Sequence, residues 1–286
     1  FMPSRQLEKV LAAQWGPEWR GQFAEFRIRP IAAASIGQVH RAVTHDGRTL
    51  AIKVQYPGIR ESIDADVDNV AALLRMSTMI PPQLDLAPLL AEAKIQLHEE
   101  ADYRREGEQM QLYRQRLAGE DGFVMPELDE EFTRDRVLAM SFEPGVPIES
   151  LETESQELRN DVARRIITLV CRELFEFGVM QTDPNFANYR YQMDTGRIVL
   201  LDFGATRAVA PEVAGSYRRL LSAAIAGDPD AVIAASLEAG FINEATITRH
   251  RQSVEMMTRV IIDEFHRTGP FDFGDRSFVP VLRDEG

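Results

Sequence analysis

Residues 181–204 read Q-T-D-P-N-F-A-N-Y-R-Y-Q-M-D-T-G-R-I-V-L-L-D-F-G, and this stretch decides the fold. Gly196 marks a turn, and residues 198–201 read as a buried strand, so a hairpin with a loop at each end is predicted. Asp183 and Asn188 fall on the first loop and Asp202 on the second. A hairpin returns its two ends to one edge. Three side chains able to hold a metal or a proton are therefore expected to converge there.

That set has a chemical meaning at this spacing. Phosphoryl transfer of the protein-kinase type uses a catalytic-loop Asp, an Asn five residues later for one Mg²⁺, and a D-F-G Asp for Mg²⁺ after an intervening hairpin. Asp183, Asn188 and Asp202 meet all three requirements. A D-F-G tripeptide alone is no more than a strand running into a turn; the upstream pair gives it a role.

Working back from the hairpin, residues 51–54 read A-I-K-V. In isolation Lys53 is an ordinary solvent-facing strand lysine; with the downstream set in place it is read as the lysine that contacts nucleotide phosphates and is held by a helical Glu. Ile28 and Ile31, then Val39, Ala42 and Val43, then Leu50, Ile52 and Val54 suggest three short strands, the last two joined by an Asp46-Gly47 turn. Ala32, Ala33, Ala34 and Ser35 are placed in the loop that covers the phosphates. Alanine cannot take the positive φ that glycine allows, so this loop is expected to be stiff. Residues 89–117 read as one long helix with Glu99, Asp102 and Glu106 on a shared face, and Glu106 is chosen as the Lys53 partner. Glu100 sits to one side, within i,i+4 reach of Arg104.

Residues 123–128 and 136–142 are expected to complete a five-stranded small lobe. Met140 and Phe142 then sit at a hinge whose backbone would hydrogen-bond adenine. Residues 154–177 form a helix leading to the catalytic loop, and 211–226, 229–239 and 243–266 are helical. The fold class is α+β and bilobal: a helical extension over 1–25, a small antiparallel lobe over 26–142 with a helical insert at 58–90, and a mostly helical lobe over 143–286. Asp64, Asp66 and Asp68 mimic a calcium loop, but Asn69 and Arg75 stand where such a loop needs Gly and Glu. They are read as helix-start or solvated carboxylates.

Composition narrows the partners. A net charge of −13 over 286 residues argues against nucleic acid. The single Cys171, in an apolar helical stretch, reads as a core thiol and excludes a disulfide framework. No apolar run approaches the ~18 residues of a membrane span. Phe1 ahead of Met2, and the stop at Gly286 without a terminating pattern, read as an excised piece of a longer chain.

Five motifs together resemble the UbiB-type atypical kinases, also called AarF or ADCK proteins. They are P-I-A-A-A-S-I-G-Q-V-H-R-A at 30–42, A-I-K-V-Q-Y-P-G at 51–58, E-A-D-Y-R-R-E at 100–106, Q-T-D-P-N-F-A-N at 181–188, and L-D-F-G at 201–204. The likeness runs from about residue 26 to 215, and the alanine-rich stretch followed by S-I-G-Q-V-H is its most specific part. The resemblance implies a protein-kinase-like fold with ATPase activity linked to ubiquinone or other isoprenoid lipids. ATP or ADP and Mg²⁺ are the implied cofactors. An isoprenoid lipid or quinone precursor and a membrane surface are the implied partners, with the protein cytoplasmic and peripheral at the membrane.

By the same resemblance Lys53 and Glu106 are an ion pair, Asp183 belongs to the catalytic loop, and Asn188 and Asp202 hold metal. Glu100 and Asp102 match the family's E-x-D motif, which works there with a K-x-G-Q motif on an N-terminal extension; that motif is absent from this sequence. Two other readings compete: a non-catalytic nucleotide-binding module, which gives no reason for Asp183, and a Ser/Thr protein kinase. The second is disfavoured because Ala210-Pro211-Glu212 follows Gly204 by only six residues, too few for a peptide platform.

Overall fold

The computed structural model describes residues 1–76, 86–183, 185–272 and 274. Its contacts divide the chain into two units, Phe1–Glu173 with Val179–Arg207, and Leu174–Gly178 with Ala208–Gly286. In chain order the first unit holds α1 (Ser4–Trp15), β1 (Phe23–Phe26), β2 (Ala32–Ala34), β3 (Gly37–Thr44), β4 (Thr49–Gln55), α2 (Ile59–Met76), α3 (Ala87–Glu100) and α4 (Tyr103–Arg116). It continues with β5 (Phe123–Val124), β6 (Val137–Ser141), β7 (Val146–Pro147), α5 (Gln156–Arg172), β8 (Val179–Gln181), β9 (Tyr189–Gln192) and β10 (Arg197–Leu200).

The main sheet is antiparallel, with order β1-β3-β4-β6 and β2 paired to β3. Successive strand side chains point to opposite faces. Leu50, Ile52 and Val54 of β4 therefore share one face, where they join Ala42, Val137 and Ala139. The apolar stripe of α1, made of Leu7, Val10, Leu11 and Trp15, covers that face, together with Trp19, Phe23 and Phe132. Trp15 also donates its indole N–H to the Phe132 carbonyl at 2.8 Å. The segment read as an extension over 1–25 thus supplies one wall of the sheet's core.

Five expectations about local structure in the first unit change. The alanine stretch is not a loop: Ala32 to Ala34 pair with Val39, Gln38 and Gly37 as a strand. No residue other than glycine has a positive φ among the described residues, so alanine meets no backbone penalty here. The first strand lies at Phe23–Phe26, paired along β3 from Thr44 to Ala42, and not at Ile28 and Ile31. The fifth strand of the main sheet is β2. Phe123 and Val124 instead pair in parallel with Ile198 and Val199, while beyond Pro126 the segment expected as that strand does bond along β6, with the Ser141 N–H donating to the Glu127 carbonyl at 2.8 Å and Leu128 bridging Met140. The helix expected over 89–117 is two helices, broken where the Asp102 carboxylate accepts the N–H groups of Arg104 and Arg105 and so caps α4. Cys171 is exposed; it lies about 200° round the helix from buried Leu169.

The helical insert expected at 58–90 comprises α2 and the start of α3, with 77–85 outside the described residues. Asp68 on α2 meets Lys94 of α3 at 2.7 Å, so the aspartate run is a charged helix face. A second sheet, ordered β5-β10-β9-β7, contains the predicted hairpin. Tyr189 pairs with Leu200 and Gln192 with Arg197, and Gly196 takes φ 68° in the turn.

The second unit is helical: α6 (Pro211–Ala226), α7 (Pro229–Glu238), α8 (Glu244–Arg249) and α9 (Arg251–His266). Ala224, Val232 and Ile262 form its core. Gly227 ends α6 in the left-handed conformation, and the Asp228 carboxylate caps α7. Asn243 caps α8, so the helix expected over 243–266 is split near His250. No helix among the described residues is long and apolar enough to cross a membrane.

If α1 is part of the sheet's core, Leu11→Ala should lower unfolding stability by about 2–5 kcal/mol, read as a lower midpoint in urea. A change under about 0.5 kcal/mol, the range of surface substitutions, would make α1 a detachable prefix.

Candidate functional site

The β4 alternation that buries Leu50, Ile52 and Val54 against α1 sends Ala51 and Lys53 to the other face of the sheet. Glu106 lies in the first turn of α4, one turn beyond the Asp102 cap. It meets Lys53 there: Nζ is 2.9 Å from Oε1 and 3.0 Å from Oε2. Asp202, just past the end of β10, brings a second carboxylate oxygen to 3.1 Å from the same ammonium. Lys53 and Glu106 are 5% and 1% exposed, so the pair has almost no water to screen it. Burial would lower the pKa of Lys53, but Glu106 first and then Asp202 outweigh it and hold the ammonium well above the usual lysine range. Burial raises the Glu106 carboxyl, and Lys53 opposes that. Burial also works to raise Asp202, yet Lys53 and the Gly204 N–H hold its carboxyl below the ordinary range.

The hairpin loops complete the arrangement. Asn188 donates its side-chain amide to Asp183 Oδ2 at 3.1 Å. Its backbone carbonyl accepts the Leu201 N–H at 3.0 Å, which ties the first loop to the residue before Asp202. Asp202 Oδ1 in turn accepts the Gly204 N–H at 2.9 Å. One cavity of about 790 Å³ is lined by Ala32, Ala33, Ala34, Ser35, Lys53, Glu100, Met140, Phe142, Asp183, Asn188 and Asp202, within the size of a small-molecule pocket. Glu106 stands behind Lys53. Asp102, read with Glu100 as one motif, is separated from it in role: Glu100 lines the cavity, while Asp102 caps α4.

Several contributors escaped the sequence reading. Val39, Ala51 and Leu201 supply apolar wall, and Arg41, Arg190 and Arg207 bring positive charge to the lining. Alternation along β3 and β4 could have found the first two. Gly37 closes the alanine hairpin, and a side chain there would run into the Val54 carbonyl and the Tyr103 hydroxyl. Arg105 donates to the Gly204 carbonyl at 2.9 Å and also to the Thr206 carbonyl. Glu173, 3% exposed, accepts the Tyr113 hydroxyl at 2.8 Å. Burial pushes its carboxyl up to about 7 against the pull of that hydroxyl and of the Gln181 N–H.

Asp202 offers a carboxylate and Asn188 an amide oxygen on the same cavity wall. Mg²⁺ is commonly held by one or two such hard oxygens, with phosphate oxygens and water filling the rest of its octahedron. The donor set fits that ion.

Two stability measurements follow. Lys53→Met strands a buried carboxylate and should cost about 3–5 kcal/mol, most of which the double variant Lys53→Met/Glu106→Leu should recover; urea unfolding of the three proteins checks it. For Glu173, the folded chain keeps a proton that the unfolded chain, titrating near 4.5, has released. That contribution is complete below 4.5 and lost as pH rises through 7. Wild type should therefore lose stability relative to Glu173→Gln between pH 4.5 and 7, and parallel curves would contradict it.

A family model described as the ABC1 atypical kinase-like domain matches residues 1–236. The rat protein named Atypical kinase COQ8B, mitochondrial (Rattus norvegicus) is 40% identical over 293 residues, covering 99% of this chain and 55% of the rat protein. Atypical kinase COQ8, mitochondrial, of Saccharomyces cerevisiae is 39% identical over 286 residues, covering 99% of this chain and 57% of its own. The chain thus spans about half the length of the curated relatives it matches. Among solved structures, that of the Rv3197–erythromycin complex from Mycobacterium tuberculosis superposes with a TM-score of 0.66 at 24% identity, covering 95% of this chain and 72% of that one, which speaks to the fold. With a family model over residues 1–236 and relatives near 40% identity along its whole length, the chain belongs to the ABC1 atypical kinase family.

Proposed function

We propose that this protein is a Mg²⁺-dependent, adenine-nucleotide-binding atypical kinase or ATPase that serves ubiquinone or related isoprenoid-lipid metabolism. The observation that carries the proposal is the buried Lys53–Glu106–Asp202 cluster opening onto the cavity that Asp183 and Asn188 also line. Adenine would sit between Ala51 and Leu201, against the backbone of residues 140–143, with the phosphates under the alanine hairpin and towards Lys53. The Lys53 ammonium, kept protonated by its two carboxylates, neutralises phosphate charge, and Glu106 fixes its position. Asp202 and Asn188 would hold Mg²⁺, which when bound neutralises charge on the phosphate oxygens. Asp183, exposed at the cavity, orients the acceptor hydroxyl and takes its proton as the oxygen–phosphorus bond forms and the nucleoside diphosphate leaves. Positioning and charge stabilisation supply most of the rate, because phosphoryl transfer asks little covalent chemistry of the protein.

The acceptor is proposed to be compact. Six residues separate Gly204 from Pro211, the first residue of α6. A peptide needs an extended surface, and a segment this short offers little; water, a lipid headgroup or a small phenolic precursor presented at a membrane surface needs none. A Ser/Thr protein kinase is therefore the weaker reading.

Nucleotide titration followed by thermal unfolding tests the proposal. Mg²⁺-ADP or Mg²⁺-ATP at a hundred times its Kd should stabilise the fold by about 2.7 kcal/mol. Asp202→Asn should weaken binding at least tenfold. Asp183→Ala should keep binding within about threefold and lose about 10²–10⁴-fold in turnover. No shift with any adenine nucleotide, with or without Mg²⁺, defeats the reading; brisk sequence-selective peptide phosphorylation that Asp183→Ala abolishes would favour the protein kinase instead.

A further inference from the structure

We propose that Gln181 is a positioning residue that holds the loop of Asp183 and the loop of Asp202 in one register. It sits at the end of β8, where its single side-chain amide bridges the two loops. Its Oε1 accepts the Asp183 N–H at 3.1 Å. Its Nε2 donates to the Asp202 carbonyl at 2.8 Å. A primary amide carries a donor and an acceptor on one rigid plane, so both bonds are made together or the amide must turn away from one of them. No other side chain bridges these two aspartates in this way among the described residues. The inference rests on the roles proposed above for Asp183 and Asp202.

Beneath Gln181 lies the buried Glu173 carboxylate, whose pKa the Gln181 backbone N–H helps to lower and which accepts the Tyr113 hydroxyl at 2.8 Å. The Tyr113 ring packs edge-on against Phe203 at 5.2 Å between centroids, and Phe203 is the residue after Asp202. Phe203, Tyr113 and Glu173 thus pack beneath the two loops that Gln181 joins. The neighbouring residue adds a second clip, with Thr182 Oγ1 donating to the Ala205 carbonyl at 2.8 Å. Losing the Gln181 amide should let Asp183 drift relative to Asp202, which Lys53 and the Gly204 N–H still hold, while the nucleotide site, built from β2, β4 and the residue 140–143 backbone, stays as it is. Displacements on the order of 1 Å can cost up to about a hundredfold in rate.

The test uses Gln181→Met, which keeps much of the volume and loses both bonds, and Gln181→Glu, which keeps the acceptor for Asp183 but turns an oxygen towards the Asp202 carbonyl. For Gln181→Met we expect kcat for ATP turnover to fall about 10–100-fold, with KM for ATP within threefold and the Mg²⁺-ADP melting shift retained. Gln181→Glu, which keeps only the bond to the Asp183 N–H, should be slowed as well, again with KM for ATP within threefold. A variant that merely loosened the fold would move KM and the melting shift along with kcat. The proposal is overturned if kcat stays within twofold of wild type in both variants, if KM for ATP rises in step with the loss of kcat, or if neither variant gives a cooperative melting transition. If wild type itself neither shifts with Mg²⁺-nucleotide nor turns over ATP, the functional reading falls and takes this inference with it; a turning-over wild type with indifferent variants sinks this inference alone.

Discussion

A lysine ammonium held away from water costs several kcal/mol unless its charge is matched and its hydrogen bonds are made. Lys53 meets that condition through Glu106 and Asp202, and much of the first unit follows from it. β4 must lie next to α4 for Glu106 to reach, and β10 must end where Asp202 can. The N-terminal turn of α4 is the only part of that helix whose backbone dipole also favours a carboxylate. The break at Ala101–Asp102 starts α4 in time to place Glu106 in that turn. Truncating Lys53 leaves two carboxylates without their cation, so the cluster ties sheet, helix and hairpin into one cooperative arrangement.

Around this cluster the chain uses small residues to bring backbones close. Alanines of β2 line the cavity as an extended strand, with Gly37 at the point where β3 passes the Val54 carbonyl and the Tyr103 hydroxyl. On the opposite face of the sheet, α1 and a cluster of Trp and Phe rings fill the space with bulk. The two faces of β4 thus divide the work. One lines the cavity and the other fills the core.

The segment after Asp202 is held through its carbonyl groups. Gln181, Thr182 and Arg105 take up the carbonyls of Asp202, Ala205, Gly204 and Thr206. Arg207 adds ion pairs to Glu92 and, at 3.2 Å, to Glu99 of α3. A segment this short and this thoroughly engaged has little freedom to swing Asp202 away from Lys53. That physical economy accords with the compact acceptor proposed above.

What the sequence by itself determined is the part written in local spacing. The hairpin between Asn188 and Asp202, the strand carrying Lys53, the helices after residue 211 and the family motifs are all legible because alternation, turn glycines and fixed offsets act over a few residues. Helical spacing narrowed the partner of Lys53 to Glu99, Asp102 and Glu106, and only the fold, with Asp102 capping α4, shows Glu106 at the ammonium. Tertiary structure decided the rest. Whether Ala32–Ala34 is loop or strand depended on β3 lying beside it, and Phe123–Val124 found its partner in Ile198–Val199 while Leu128 a few residues on bridges Met140. The same capping aspartate that matched a motif with Glu100 turned out to start a helix, since backbone N–H groups need a partner at every helix end. Gln181, Glu173 and Tyr113 meet only after the chain has folded, across separations of up to 68 residues. Sequence spacing reports neighbours along the chain; a buried polar circuit is set by which donors and acceptors are left without water when the core closes.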